Sequence, residues 1–390
     1  MISLVKLDNV VKIVGGGTPS KKIPEYWGGV IPWASVKDFK NIKLSKTVDR
    51  ITKLGVENSA TNIIPEGNVI VPTRMALGKA AINTVDMAIN QDLKALIPTK
   101  KLDVNYLLHF MFSVAEYIES CGKGATVKGI TLDVLKNLQI PLPSLAEQKR
   151  IAAILDKGDE LRRQQEKSLE LCDEFLKATF IDMFGDPVTN PKGWEVFSAK
   201  EVSSKIGSGS TPRGGKEAYK ESGISLIRSL NIHDNRFKYK NLAFIDENQA
   251  AKLKNVILEE DDVLLNITGA SVCRCAKVPK NVLPARVNQH VAIIRTIDSL
   301  LPNYLQYLLT SINYKNYLMG IATSGGATRE ALTKEQVEQL PFIIPPKEEQ
   351  LKFSRIAENI ETQKSNMKES LAKLNENFNA LSQKAFKGEL

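Results

Sequence analysis

The chain is poor in the residues that most often do chemistry. It has three histidines and four cysteines in 390 residues. Zinc sites and acid–base centres draw heavily on those residue types. Cys273 and Cys275 form a Cys-x-Cys pair, but Cys121 and Cys172 do not supply a second pair at metal spacing. All four read as reduced thiols rather than a metal or redox site. His109 sits in an apolar helical stretch and reads as a structural residue. Phosphate-cradling motifs are also missing. Gly78-Lys79-Ala80 lacks the Ser/Thr and the upstream glycine of a Walker A loop, and no G-x-G-x-x-G opens a strand–helix unit. Asn190-Pro191-Lys192-Gly193 lacks the aromatic tetrapeptide of an amino-methyltransferase. Glu147-Gln148-Lys149 resembles a nuclease carboxylate–lysine pair, yet its place in a first helical turn suits capping and a solvated face. No apolar run approaches the roughly 18 residues of a membrane span, and the N-terminus has no signal-peptide core. The expectation is a cytoplasmic chain with no metal ligands, no catalytic residues and no membrane partner.

What the chain does have, it has twice. Pro143, Glu147, Gln148, Ile154, Leu169 and Phe184 recur 202 residues later as Pro345, Glu349, Gln350, Ile356, Leu371 and Phe386. Each set runs through a long helical pattern. Met367, Leu371, Leu374, Phe378, Leu381 and Ala385 follow the 4,3 spacing of a heptad seam, and Leu169, Cys172 and Leu176 continue it in the first copy. Upstream, Ile151, Ile154, Gly158 and Leu161 match Phe353, Ile356, Ile360 and Gln363, and all but Gly158 and Gln363 are apolar packing candidates. These residues are the expected helix–helix packing set. Both seams contain polar or small residues, so packing of the two helices on each other, antiparallel, is the natural way to bury both. Ser144-Leu145-Ala146-Glu147 reads as a capping box, and Gly185-Asp186-Pro187 as a stop.

The blocks before the helices repeat more loosely, with gaps. Ile13-x4-Thr18-Pro19 matches Ile206-x4-Thr211-Pro212, and Asn68-Val69-Ile70-Val71 matches Asp262-Val263-Leu264-Leu265. Asn90-Gln91 matches Asn288-Gln289, and Gly124-Ala125-Thr126 matches Gly326-Ala327-Thr328, while Pro32-Trp33-Ala34-Ser35 stands against the dissimilar Leu226-Ile227-Arg228-Ser229. Short β-branched runs alternate with turns and helical stretches, so each block is mixed α and β. The expected class is α+β, with two globular domains at 1–143 and 188–344, and helical spacers at 144–187 and 345–390. If the helices pair antiparallel, a pseudo-two-fold axis relates the halves and places the globular blocks at opposite ends of a rod.

Charge follows the same division. Residues 1–144 hold 18 Lys+Arg against 12 Asp+Glu, whereas 145–189 hold 7 against 10. Residues 190–344 hold 20 against 15, and 345–390 hold 8 against 7. Basic globular blocks suit a polyanion. The Gly/Ser turns around Thr18 and Thr211 offer backbone amides to phosphate, and Lys21, Lys22, Arg213 and Lys216 follow them. Arg74 and Lys79 follow the valine-rich strand in the first block, and Arg274 follows its counterpart. Asn90, Gln91, Asn288, Gln289, His290, Arg228, Ser229 and Asn231, with Ser35, supply side chains of the kind that read base edges. Lys123, Thr126, Lys128, Thr328 and Arg329 lie on the loops before the long helices. Ordinary solvated loops and a basic coiled-coil scaffold stay open as alternatives.

Taken with Ile140-Pro-Leu-Pro-Ser-Leu-Ala-Glu-Gln-Lys-Arg-Ile-Ala-Ala-Ile-Leu155, Met183-Phe-Gly-Asp-Pro187 and the terminal Ala385-Phe-Lys-Gly-Glu-Leu390, the pattern resembles the DNA-specificity subunit of type I restriction-modification systems. The resemblance covers the chain in the family's order. It implies two target-recognition domains, each reading one half of an interrupted double-stranded DNA target, and helices that set the gap. It implies a non-catalytic chain that binds two modification (methyltransferase) subunits and, in the full complex, restriction (motor-nuclease) subunits. S-adenosylmethionine, ATP and Mg²⁺ would then belong to those partners. A recognition subunit for a solitary methyltransferase is the closest alternative. The second helical block, Lys347-Glu-Glu-Gln-Leu-Lys-Phe-Ser-Arg-Ile356, departs further from the family pattern than the first. Unequal contacts with the two modification subunits are therefore expected.

Overall fold

The computed structural model describes residues 3–124, 127–212, 214–324 and 330–390, without the side chain of Lys216. The chain forms two compact units: residues 1–166 with 369–390, and residues 167–368. Both long helices are continuous, Leu145–Phe184 and Lys347–Lys387. Each unit therefore takes one part of each helix rather than leaving the helices as separate bodies.

In the first unit a five-stranded sheet runs in the order Val11–Gly15, Leu93–Pro98, Val69–Pro72, Ala81–Asn83, Lys43–Leu44. A four-stranded sheet pairs Trp27–Ala34 antiparallel to Asp49–Ile51 and parallel to Met87–Ile89. The second unit repeats the plan. Ser203–Ser208, Val291–Thr296, Val263–Asn266 and Cys275–Lys277 form one sheet, and Ile224–Ile227 pairs antiparallel to Ala243–Ile245 and parallel to Ala285–Val287. The mixed α/β class and the internal repeat are those expected. Branched aliphatic residues fill the central strands, where both faces are covered: Val69, Ile70 and Val71 in one unit and Val263, Leu264 and Leu265 in the other are all buried.

Each long helix is anchored to the globular part by a glutamine. The Gln148 amide donates to the carbonyls of Lys101 and Pro143, both at 2.9 Å, and accepts from the Asp103 amide at 2.8 Å. Gln350 repeats this with Ser299 at 3.0 Å, Pro345 at 2.8 Å and the Leu301 amide at 2.8 Å. Both glutamines are fully buried. The far ends of the helices are held by aromatics. Phe184 packs on Tyr304 within the second unit, and Phe386 packs on Tyr106 within the first. Tyr304 and Tyr106 each donate their hydroxyl to the carbonyl of a neighbouring strand residue, Ile343 and Pro141. The Ser144 hydroxyl does cap the first helix, accepting from the Glu147 amide at 3.3 Å. The Glu147 carboxylate turns instead to Arg150.

Within each unit the helix segments run antiparallel. In the first, Arg162 donates to Asn375 at 2.6 Å and its guanidinium lies 4.6 Å from the Phe378 ring centre. A Cβ on Gly158 would sit 2.9 Å from the Phe378 ring edge, so that glycine makes room for the aromatic. In the second, Lys364 bonds Asp173 at 2.6 Å and Glu361 at 2.5 Å. Burial works against the Lys364 ammonium, yet its two carboxylates hold the pKa above the lysine value. The seam thus steps through Ile151, Leu155, Gly158 and Arg162 before Leu169, Cys172 and Leu176. Its counterpart steps through Phe353, Ala357, Ile360 and Lys364 before Met367, Leu371, Leu374 and Phe378. One expectation is corrected: Leu161 is exposed and Arg162 takes its place. The unbroken 4,3 spacing requires position 162, and the half-buried charge there is met by a hydrogen bond to Asn375, the Phe378 ring face and an ion pair with Asp159 at 3.6 Å. Ile154 and Ile356 are half-buried beside the seam, against the globular core in the case of Ile356.

Candidate nucleic-acid interface

The Gly-Thr-Pro turns close onto the parallel strand pairs. Gly16 has the carbonyl of Ile89 only 2.0 Å from where a Cβ would stand, and Gly209 has the carbonyl of Val287 at 1.8 Å. No other residue fits either position. The turn places the Thr18 hydroxyl on the Gln91 side-chain carbonyl, and the Thr211 hydroxyl on that of Gln289. The adjacent asparagines are buried and make the same turn. Asn90 accepts from the Asp92 amide and Asn288 from the His290 amide, each at 3.1 Å. Their own amides reach the carbonyls of Ala34 at 2.9 Å and Ile227 at 3.1 Å.

The match extends to a second loop. Thr73 donates to the carbonyl of Asp92 at 2.8 Å, and Ile267 to that of His290 at 2.9 Å. Met75 bonds the carbonyl of Lys128, and Gly269 that of Glu330, both at 3.0 Å. Arg74 bridges to Gly129 and Thr268 to Ala331. Arg74 is therefore the counterpart of Thr268, and Asp92 of His290. Strand pairing makes Lys79, not Arg74, the counterpart of Arg274.

The same geometry corrects an alignment. The sequence pairs Ser35 with Ser229, but Ser35 and Arg228 each open a one-turn helix, Val36–Asp38 and Ser229–Asn231. Asp38 accepts from the Ser35 amide at 2.8 Å, and Asn231 from the Arg228 amide at 3.1 Å. The true register is one residue earlier. Ser35, Asn90, Asn231 and Asn288 are all buried and spend their polar groups on this backbone. In this structure their hydrogen bonds hold the backbone beneath the surface in shape.

Positive charge surrounds these frames. Lys21, Lys22, Arg74, Lys79, Lys123 and Lys128 are exposed in the first unit. The Lys79 ammonium reaches the carbonyl of Phe39 at 3.3 Å and lines a cleft of about 530 Å³ with Lys40 and Asn41. Burial lowers the Lys94 pKa, against the pull of Asp92. In the second unit the guanidinium of Arg228 lies 5.0 Å from the Tyr219 ring centre and donates to the Asn241 carbonyl at 2.6 Å. Half-buried Arg274 and the hairpin residues Arg236 and Lys238 crowd His233. Burial, then those three cations, push the His233 pKa below its ordinary value. Ser229 is half-buried and offers its carbonyl to the Asn266 amide. Thr126, Arg213, Thr328 and Arg329 lie outside the described residues. The backbone of Lys216 belongs to a one-turn helix, Gly215–Ala218.

Sequence reasoning missed Arg236, Lys238, Asp92 and Thr268. Asp92 directly follows the repeated Asn90-Gln91 and could have been found there. Thr268 carries no local signal. It also missed the tryptophans that brace the first turn: Trp33 donates to the Gly17 carbonyl at 3.0 Å and Trp27 to that of Ser20 at 3.2 Å. The Cys273 and Cys275 thiols are buried, and burial pushes the Cys273 pKa up to about 12. Neither is a reactive nucleophile. His109 is buried and bonds Asp156 at 2.8 Å under the first long helix, a structural placement.

Among the described residues no helix is long and apolar enough to cross a membrane, and no group of three or more His, Cys, Asp or Glu is arranged to hold a metal.

Comparison with known proteins bears on the same reading. The family model for the type I restriction modification DNA specificity domain matches residues 3–171 and 191–376. The MjaIX specificity subunit of Methanocaldococcus jannaschii is 27% identical over 99% of this chain and 92% of its own length. The EcoR124I/EcoR124II specificity subunit of Escherichia coli is 38% identical over 40% of each chain. Among solved structures, the type I system S subunit from M. genitalium aligns with a TM-score of 0.58 and 16% identity, covering 99% of this chain and 96% of that one. A chain from a structural study of type I R-M complex assembly aligns at 0.62 with 19% identity, covering 100% and 98%. With a family model spanning both repeats, a whole-length relative and the same doubled fold, the chain belongs to the type I restriction-modification DNA specificity subunits.

Proposed function

We propose that each unit binds one half of an interrupted duplex target and that the two half-sites differ. The observation that carries this is the doubled frame, Thr18–Gln91 with Asn90 and Thr211–Gln289 with Asn288, set in basic surroundings but carrying different flanking side chains. Lys21, Lys22, Lys79, Lys123, Lys128, Arg236, Lys238 and Arg274 serve phosphates, which position the protein without reading sequence. Gln91, Gln289, Arg74, Arg228 and His290 are the base-edge candidates. The long helices fix the spacing between half-sites and carry the docking surface for two modification subunits. The chain itself performs no chemistry: S-adenosylmethionine, ATP and Mg²⁺ act on the modification and restriction subunits, and the complex works in the cytoplasm.

Sequencing the methylated bases in cells that co-express this chain with its modification subunit tests the reading. The expected motif is bipartite, interrupted and asymmetric. A palindromic or uninterrupted motif overturns it.

A further inference from the structure

The two frames superpose in their hydrogen bonds but differ at one facing pair of side chains. In the first unit, Asp92 is nine-tenths buried, and its Oδ1 has no hydrogen-bond partner among the described residues. The Arg74 guanidinium stands 3.8 Å from that oxygen, beyond hydrogen-bond reach, while 63% of its side chain stays exposed. In the second unit the corresponding pair is closed. The Thr268 hydroxyl bonds His290 Nδ1, and His290 Nε2 lies 3.1 Å from the amide nitrogen of Gln289. One unit thus shows an outward arginine over a buried, unmet acceptor. The other shows a chain of contacts from Thr268 through His290 toward Gln289 and Thr211.

We infer that Arg74 with Asp92, and Thr268 with His290, are the equivalent specificity-determining pairs of the two units, and that the first selects a guanine. The inference rests on the half-site reading proposed above. Arginine presents two parallel N–H donors that match guanine O6 and N7 in the major groove. Asp92 is a positioning residue: its buried carboxylate, 3.8 Å from the guanidinium, orients the arginine without touching the base. In the second unit Thr268 takes the arginine's place and offers no such fork, so no guanine is demanded there. The backbone contacts of Thr73 and Ile267, and of Asn90 and Asn288, are the same on both sides, so the pairs are exchangeable within one frame.

The test sequences methylated bases in cells co-expressing the modification subunit with the wild-type chain, with Arg74→Thr/Asp92→His, and with Thr268→Arg/His290→Asp. A wild-type motif that is not bipartite defeats the half-site reading itself. Given a bipartite wild-type motif, the first double variant is expected to lose an obligatory guanine at one position of one half-site. The other half-site and the gap stay as they were. The reciprocal variant is expected to change only the other half-site. Asp92→Asn, nearly isosteric, is expected to relax the same guanine at least tenfold relative to other bases. A variant that yields no methylated motif is read instead by selecting bound duplexes from a library with one random half-site. An unchanged guanine, or a complex that melts as wild type yet selects nothing, overturns the inference.

Discussion

Replacing Gln148 by methionine keeps the side-chain volume and removes only its polar head. The structure then loses two donated bonds, to Lys101 and Pro143, and one accepted bond, from Asp103. Each net hydrogen bond contributes about 1 kcal/mol, and a buried amide left unpaired costs about that or more, so the first unit should lose about 3 kcal/mol. Gln350→Met removes the equivalent three bonds in the second unit and should cost that unit about the same. The two glutamines share no partner, so the double variant should show the sum to within about 0.5 kcal/mol. Because a two-unit chain need not unfold in one step, the assay is native-state hydrogen exchange. The protection of Tyr106 and Leu107 amides reports the first unit, and that of Tyr304 and Leu305 the second. Losses under about 1 kcal/mol, or a Gln148→Met effect felt equally by the second unit's amides, would refute the view that each glutamine anchors its helix locally.

Gly16→Ala and Gly209→Ala place a Cβ against a fixed carbonyl, and each is expected to cost its unit more than about 2 kcal/mol and abolish methylation of the whole target, read by denaturation and by motif sequencing. Lys79→Ala and Arg274→Ala are each expected to reduce the slope of log affinity against log salt by about one, uniformly across target sequences. The His233 pKa lies below its ordinary value of 6.5, so the folded chain favours the neutral ring. That preference contributes stability above the unfolded pKa, lost as pH falls through the lower folded value. Phosphates should offset Arg274, Arg236 and Lys238 and raise the ring's pKa, so DNA binding should take up a proton and tighten as pH falls below about 6.5. An NMR titration of the ring, free and bound, checks it. Removing residues 163–169 and 365–371 together takes seven residues from each helix and preserves both the heptad seam and the Arg162–Asn375 and Lys364–Asp173 pairings. At 1.5 Å per residue this shortens each helix by about 10 Å, and the gap between half-sites should shrink by about three base pairs with both half-sites unchanged.

The helices, their starts and the doubled turns were legible because backbone demands leave fixed residue types behind. Gly16 and Gly209 must lack a Cβ, and Gln148 and Gln350 must reach three backbone groups at once. The misreadings share a different cause. Leu161 looked like seam because it is apolar, whereas Arg162 occupies the seam through Asn375 and Phe378, residues over 200 positions away. Ser35 and Ser229 looked equivalent because they are identical, whereas the one-turn helices align Ser35 with Arg228. In both cases a long-range or capping bond overrode local identity. Base-reading candidates were named by residue type alone, and type does not reveal that Asn231 turns its amide inward to Arg228 and Lys238.

The two seam charges bear on how one chain keeps its halves in register. A buried cation is a poor source of stability, since desolvation opposes whatever its partner returns. Its better-attested use is to forbid alternatives, as a polar residue in a coiled-coil seam does. Arg162 and Lys364 occupy the same heptad position in the two helices, and Asn375 and Asp173 likewise. Sliding one helix past the other by a heptad would set Arg162 against Lys368 with Lys364 against Glu166, or Arg162 against Ser382 with Lys364 against Phe180, so neither slide satisfies both cations. The packing around them is complementary rather than repeated: Gly158 accepts the Phe378 ring, while Ile360 occupies the glycine's place in the second unit and Leu176 the phenylalanine's. Lys364→Met should therefore change stability little, because methionine fills the same space without the desolvation cost. It should instead loosen register, seen as a methylated motif with more than one gap length. A single unchanged gap, with stability lowered by several kcal/mol, would show the lysine to be a stabilising contact and not a register pin.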